Sequence, residues 1–196
     1  MLASHKSNSE TWKIASLDWQ PYSGSDIANQ GESIKILRDL LRKEKIELIV
    51  DFYPWLRAQN FARTKDYVGY FPAWPEEVKE GFVASPAVDW SELGVITRLG
   101  SRLNWKSIDD LFMSRKVGII EAYVYPRSIT SAINKYPYNV HRSMDEASLV
   151  KMLAVKRFDA AITDLKVLLY NAKLHEINNV FTQIKKLEDK ALVIAF

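Results

Sequence analysis

The chain has 196 residues, 47% of them apolar, which is enough for one large domain or two small lobes. Its net charge is only +3, and the basic and acidic residues are interleaved, which favours a solvated surface over a nucleic-acid groove. The absence of cysteine excludes disulfides and thiolate chemistry. No apolar run reaches the ~20 residues that a membrane-spanning helix needs.

Histidine placement and the N-terminal segment narrow the classes of protein further. The three histidines, His5, His141 and His175, have no ligand spacing, so we predict no metal site and no cofactor. Residues 1–11 are polar and lack the apolar core of a signal peptide. Two interpretations fit this segment: a cytosolic protein, or a mature chain whose leader has been removed.

The first half of the chain alternates between strand and helix patterns. Apolar periodicity predicts strands at 12–17, 46–52 and 67–71, with helices at 31–43 and 54–63 between them. Residues 82–84 and 93–97 are predicted to be extended. A β-α-β-α-β order implies a parallel sheet with helices on its faces.

The second half repeats this alternation. Strands are predicted at 116–120, 138–141, 159–163, 179–182 and 191–196. A helix is predicted at 126–135, and other helices follow Asp164 and two capping boxes, Ser107 with Asp110 and Ser143 with Glu146. We therefore predict one lobe at 12–98 and a second at 99–190, with residues 191–196 returning to the hinge or to the first lobe. A cleft between two such lobes is a favoured place for a small ligand, which hinge closure would enclose.

Asp164 lies between a short, predicted apolar strand and the helix that follows it. Ligands of open α/β sheets bind just beyond the carboxyl ends of strands, so this carboxylate could face a cationic ligand group. It could equally act as a helix N-cap, accepting hydrogen bonds from free backbone N–H groups.

Several segments of the chain occur in an order typical of one known family. They are Asp18-Trp19-Gln20-Pro21-Tyr22, Tyr53-Pro54-Trp55-Leu56-Arg57-Ala58, the strand at 65–69 followed by Ala84-Ser85-Pro86, the segment 107–119, and the segment 147–164. In this order the chain resembles the extracytoplasmic solute-binding proteins of amino-acid ABC transporters, which have the type II periplasmic-binding-protein fold. The resemblance implies two hinged α/β lobes, each with a mainly parallel sheet flanked by helices.

Three features depart from that family. Its amino-acid binders usually carry an arginine before the Ser-Pro turn, whereas this chain has Pro75-Glu76-Glu77-Val78-Lys79-Glu80. Its small Gly-Thr-Thr-like turn in the second lobe is replaced by Glu121-Ala122-Tyr123-Val124-Tyr125. The family's chain normally returns to the first lobe and ends with a helix, whereas this one stops inside an apolar strand. We therefore expect a narrower pocket without the usual carboxylate clamp.

The resemblance and the loop positions together give the predicted ligand-binding residues. In the first lobe they are Trp19, Tyr22, Trp55, Arg57 and Trp74, and in the second Glu121, Tyr123, Arg127 and Asp164. The aromatic residues would stack on the ligand, Asp164 would neutralise a cationic group, and one arginine would pair with an anionic group. Structural alternatives stay open: loop aromatics packed on the core edge, Arg57 in a surface salt bridge, and Asp164 as a cap.

The predicted function is non-enzymatic binding of a small polar solute, either amino-acid-like or a related amine or organic acid, and its delivery to an ABC-transporter permease. Alternatives are a ligand-sensing module of a signalling system, a dehydratase-type enzyme using Glu121 and Asp164, and a protein whose cleft is filled by its own aromatics. The implied partners are the small ligand and a membrane permease or sensor, but no nucleic acid. The predicted state is a monomer in the periplasm or another extracytoplasmic space.

Overall fold

Residues 10–177 and 180–196 are described by a computed structural model of the chain. His5, most of the polar segment 1–11, and Asn179 of the predicted strand at 179–182 lie outside these residues. The chain divides into two units. Unit 1 contains residues 10–89 and Ala191–Phe196, and unit 2 contains Trp90–Lys190. The functional lobe boundary at 98 stays a prediction.

Unit 1 is built on three strands and two helices from the first part of the chain. They are β1 (Glu10–Ser16), α1 (Glu32–Lys43), β2 (Ile46–Phe52), α2 (Trp55–Phe61) and β3 (Gly69–Ala73). Strand β1 lies between β2 and β3 and is parallel to both. The end of a later strand, β8 (Phe181–Ala195), pairs with β3 in the antiparallel sense. Because the carboxyl ends of β1 and β3 share one edge, the loops that follow them emerge together.

Apolar faces of the unit 1 helices form its core. Helix α1 buries Ile34, Leu37 and Leu41, which recur at helical spacing. Strand β3 is buried along its whole length. Gly69 permits its close approach to β8, because a Cβ atom there would stand 2.0 Å from the carbonyl oxygen of Ala195. A larger residue at this position would separate the two strands.

Unit 2 contains most of β4 (Asp89–Arg98) and the elements after it. In chain order these are α3 (Ile108–Ser114), β5 (Val117–Ile120), α4 (Arg127–Lys135), β6 (Val140–Ser143), α5 (Glu146–Ala154), β7 (Ala160–Asp164), α6 (Leu165–Leu174) and β8. The strand order is β8-β4-β7-β5-β6. Strand β5 is parallel to β6 and β7, whereas β4 and β7 are antiparallel. Helices α5 and α6 pack with Ile96, Phe158 and Ala161 in one buried cluster.

These observations confirm the predicted α/β fold class with mainly parallel sheets. Strand β2 has the predicted bounds, and Ser107 caps α3 as predicted by accepting a hydrogen bond from the Asp110 N–H. The predicted cap of α5 by Ser143 is wrong. Ser143 ends β6, and Asp145 caps the helix by accepting from the Ser148 N–H (2.7 Å).

Two strand predictions in the second half need correction. The predicted strand at 138–141 begins two residues later, because residues Pro137–Asn139 form a single 3₁₀ turn. The predicted strands at 179–182 and 191–196 are parts of one long strand, β8, which continues through the polar residues between them. Every described helix falls short of the length and apolar character that crossing a membrane would require.

Candidate functional site

Three of the predicted aromatic residues form one group in unit 1. The rings of Trp19 and Tyr22 stack with their centroids 4.7 Å apart, and the ring of Trp74 meets Trp19 edge to face at 6.2 Å. Their exposed fractions are only 7%, 1% and 2%, respectively. The three side chains therefore pack on one another, as aromatic rings with these geometries commonly do. We call Trp19, Tyr22 and Trp74 the aromatic trio.

The trio forms because two loops leave neighbouring parallel strands at the same edge. After β1, the chain makes a tight turn in which the Trp19 N–H donates to the Ser23 carbonyl (2.8 Å). The Ser23 hydroxyl in turn donates to the Leu17 carbonyl (2.8 Å). Trp74 directly follows the last residue of β3. The fold thus places the trio where α/β proteins commonly bind ligands, at the carboxyl ends of strands.

Trp55 is joined to the trio through the carboxylate of Glu77, which is not among the predicted ligand-binding residues. The Trp55 indole N–H donates to Oε1 of Glu77 (3.1 Å), and the Trp74 backbone N–H donates to Oε2 (3.0 Å). The Trp55 ring also packs edge to face on Tyr70 at 5.4 Å. The Glu77 side chain therefore links α2 to the turn that carries Trp74.

Burial raises the pKa of Glu77 to about 7, while the hydrogen bonds from Trp74 and Trp55 act in the opposite direction. Desolvation disfavours the charged carboxylate, and donors to it favour that form. Glu77 is 6% exposed. A carboxyl group in this setting changes its charge near neutral pH, which an exposed glutamate does not do.

Arg57 lies apart from these contacts. It is the third residue of α2, and its side chain is exposed. The two neighbouring positions Ala58 and Gln59 carry the buried face of this short helix. A role of Arg57 in binding an anionic ligand group stays a prediction.

Asp164 caps α6, as one of its two predicted roles required. Its Oδ1 atom accepts from the Val167 N–H (3.1 Å) and its Oδ2 atom from the Glu92 N–H (2.7 Å). The side chain is fully buried. Both carboxylate oxygens thus have backbone donors, and ligand contact by Asp164 stays a prediction.

Tyr125 occupies the space between the carboxyl ends of β5 and β7. Its hydroxyl accepts from the Ile120 N–H (2.9 Å) and donates to the Ile162 carbonyl (3.1 Å). The backbone carbonyl of Tyr125 accepts from the Thr130 hydroxyl in α4 (3.0 Å). Burial raises the pKa of Tyr125, so its hydroxyl stays neutral.

The other predicted residues of unit 2 lie along the β5–α4 connection. Glu121 is exposed and pairs with Arg142 (2.8 Å). The Tyr123 hydroxyl donates to Oε1 of Glu146. Arg127 is exposed at the first position of α4. The structure therefore brings these residues onto one connection, but Glu121 and Asp164 have different hydrogen-bonding partners.

Glu77 in unit 1 and Tyr125 in unit 2 link elements near strand ends, and the sequence pattern did not predict either role. In the sequence, Pro75-Glu76-Glu77 is notable only because it lacks the arginine that the resembling family carries there. The available signal was Trp74-Pro75, since a proline after a tryptophan at a strand end indicates a turn whose third residue can reach back. Within residues 10–177 and 180–196, no group of three or more acidic or histidine side chains is arranged to hold a metal ion.

Comparison with solved structures places this fold in a known class. A histidine kinase sensor domain with similarity to periplasmic binding proteins shares 15% identity over 94% of this chain and 81% of its own, with a TM-score of 0.73. A periplasmic binding protein of an arginine transport system from Legionella pneumophila shares 19% identity over 95% and 86%, with a TM-score of 0.69. The chain therefore has the fold of type II periplasmic binding proteins.

A third similar structure is an ancestral amino acid-binding protein, a precursor of cyclohexadienyl dehydratase. It shares 17% identity over 95% of this chain and 81% of its own, with a TM-score of 0.68. No family model matches the chain. No curated protein matches it by sequence. At these identities the likeness concerns the fold, and function has to be argued from the side chains.

Proposed function

We propose that this protein binds a small polar solute, amino-acid-like or a related amine or organic acid, without chemical conversion of it. The observation that carries this proposal is the aromatic trio at the carboxyl edge of β1 and β3, in a fold whose similar structures include amino-acid-binding proteins and sensor domains. Trp19 is the most exposed of the three, at 7%, so a ligand would reach its ring first and gain apolar contact and attraction for a cationic group.

The predicted ligand-binding residues of unit 2 are polar or charged. Glu121, Tyr123, Arg127 and Asp164 supply both signs of charge near strand ends and a helix start. A mixed set of this kind suits a zwitterion better than a bare anion. The dehydratase alternative lacks support, because Glu121 pairs with Arg142 whereas Asp164 caps α6.

Delivery of the solute to an ABC-transporter permease is the role we propose first, in an extracytoplasmic compartment. Ligand sensing for a signalling partner is the second candidate, supported by the likeness to a histidine kinase sensor domain. Uptake of labelled ligand by cells with and without the gene separates the two. Loss of uptake without the gene supports transport, whereas unchanged uptake with an altered transcriptional response supports sensing.

The binding proposal is tested by thermal unfolding of the purified protein with single amino acids, putrescine, spermidine and small organic acids. A ligand at 100 times its Kd stabilises the folded state by about 2.7 kcal/mol. For a chain of this size, that raises the Tm by roughly 5–10 °C. Calorimetric titration of each compound that raises the Tm then gives its Kd.

Two matched tryptophan variants test whether the ligand binds at the aromatic trio. Trp74→Phe alters the trio, whereas Trp105→Phe alters an indole in unit 2 that lies under the Lys185 ammonium. We expect Trp74→Phe, which removes part of the edge-to-face packing that positions Trp19, to weaken binding about tenfold. Trp105→Phe should leave Kd unchanged. If none of the compounds raises the Tm, or if both variants bind like the wild type, the proposed site is wrong.

A further inference from the structure

The Glu77 carboxylate lies between donors from two different elements. Oε1 accepts from the Trp55 indole of α2, and Oε2 accepts from the backbone N–H of Trp74. The Glu77 N–H also donates back to the Trp74 carbonyl (2.9 Å), which closes the turn. One side chain therefore fixes both the orientation of an indole ring and the conformation of the turn that carries a member of the aromatic trio.

Few charged groups act on this carboxyl group. Lys79 and Glu76 do so from the same turn, with opposite effects on its ionisation. From β3, the Tyr70 hydroxyl donates to the Glu77 backbone carbonyl (2.8 Å) rather than to the carboxylate. Arg57 is the one charged residue within α2, and it is exposed. The ionisation of Glu77 is thus governed mainly by its burial and its two donors.

We propose that Glu77 is a proton-controlled positioning residue, which holds the Trp55 indole and the Trp74 turn together when ionised and releases the indole when protonated. The assignment stands on geometry, because an ionised carboxylate accepts at both oxygens whereas a carboxylic acid presents one O–H and accepts well at only one. The effect of Glu77 on ligand affinity rests on the proposed function. Its effect on the Trp55 indole does not depend on that function.

The position of this change on the pH scale follows from burial. The pKa of about 7 means that ionised and protonated forms are both populated near neutrality. Above pH 7, both hydrogen bonds are charge-assisted and the Trp55 indole is held. Below pH 7, the protonated carboxyl group no longer accepts both hydrogen bonds, and the Trp55 indole N–H loses its acceptor. Any solute that contacts the trio or Trp55 would then bind more weakly in mild acid.

The direct test is an NMR titration of the ¹⁵N-labelled full chain without ligand. The Trp55 indole N–H resonance, identified by its loss in Trp55→Phe, is followed from about pH 5 to pH 9. We expect it to shift with a midpoint near 7 in the wild type and to stay constant in Glu77→Gln. Glu76→Gln is the matched control, because it removes the adjacent, exposed carboxyl group. It should keep the shift with a slightly lower midpoint, since the Glu76 charge raises the pKa of Glu77.

A Trp55 resonance that does not move in this range, or that moves equally in Glu77→Gln, overturns the proposal. If Glu77→Gln does not fold, ¹³C carboxyl resonances of the wild type decide instead. A glutamate carboxyl that titrates near 7 supports the assignment, and titration of all of them below about 5 overturns it. The NMR titration contains no ligand. If the Trp55 resonance titrates as expected but no solute binds in the screen, only the proposed function is refuted.

Discussion

The Oδ2 atom of Asp164 accepts a hydrogen bond from the backbone N–H of Glu92 at 2.7 Å, so a single carboxylate joins the start of α6 to β4. Its Oδ1 atom caps the helix at the Val167 N–H. Asp164, for which the sequence allowed either ligand contact or capping, is therefore a buried cap that also binds β4. Stability measurements can separate these roles.

Removal of the Asp164 carboxylate should destabilise the protein more than removal of an exposed cap. Asp164→Ala leaves two backbone N–H groups without their acceptor, and we expect a loss of about 3 kcal/mol in the free energy of unfolding. Asp145→Ala, which removes the exposed cap of α5, should cost about 1 kcal/mol. Urea unfolding of both variants gives the comparison. Equal losses would show that burial of the Asp164 cap contributes nothing.

The hydroxyl of Tyr125 should be important for the stability of unit 2. Tyr125→Phe leaves the buried Ile120 N–H and Ile162 carbonyl without this partner, so we expect a loss of about 1–3 kcal/mol. Tyr138→Phe is the control, since Tyr138 is 96% exposed and its hydroxyl should contribute little. The check is the urea midpoint at constant m-value, and a wild-type midpoint for Tyr125→Phe would contradict the bridging role.

Glu77 should give the protein a stability that falls as the pH rises. Its pKa is about 7 in the folded protein against an ordinary value of 4.5. Between these values the folded protein holds a proton that the unfolded chain has released, so the free energy of unfolding decreases with rising pH. This contribution is fully present below pH 4.5 and lost above pH 7.

The measurement compares the wild type with Glu77→Gln by urea unfolding at several pH values. We expect the wild type to lose on the order of 2 kcal/mol relative to this variant between pH 5 and pH 8, in agreement with a pKa raised by burial. Glu76→Gln should run parallel to the wild type. A constant difference between the wild type and Glu77→Gln would mean that Glu77 titrates normally.

Ligand contact by Glu121 can be tested with a variant whose free energy of unfolding should stay close to that of the wild type. Its ion pair with Arg142 is half-exposed on both sides, and such pairs contribute little. Glu121→Gln should therefore leave the free energy of unfolding within about 1 kcal/mol of the wild type. If Glu121 contacts the solute, calorimetric titration should show a weaker Kd in this variant. An unchanged Kd would remove Glu121 from the site.

Much of the fold could be predicted because apolar periodicity follows burial. Strand β2 and helix α1 show this, since their buried residues recur at strand and helix spacing. Strand β8 was missed in its middle because residues 183–190 are largely polar. Pairing with β4 keeps this polar stretch in the strand conformation. The two strands approach closely, since a Cβ atom at Gly94 in β4 would stand 3.1 Å from the Lys185 carbonyl oxygen.

The candidate site was only partly predictable, for a related reason. Trp19 and Trp74 could be found because each follows a strand, and parallel strands end at one edge. The cap of α5 was assigned to Ser143 rather than Asp145, since the choice depends on where β6 ends. The Trp74-Pro75 turn indicates that Glu77 can reach back to the Trp74 N–H, but it does not reveal that Glu77 is buried. Its burial depends on Trp55, which lies 22 residues earlier and reaches it only in the folded chain.

The discontinuous path of unit 1 has a consequence for synthesis on the ribosome. Its strand β3 acquires the β8 partner only when Ala191–Phe196 have been made, about 100 residues after the rest of the unit. Unit 2 is continuous in sequence and ends at Lys190, directly before this segment. For roughly 5–20 seconds of translation the nascent chain therefore carries an apolar, unpaired β3 edge. That interval is when a chaperone would protect this protein from aggregation.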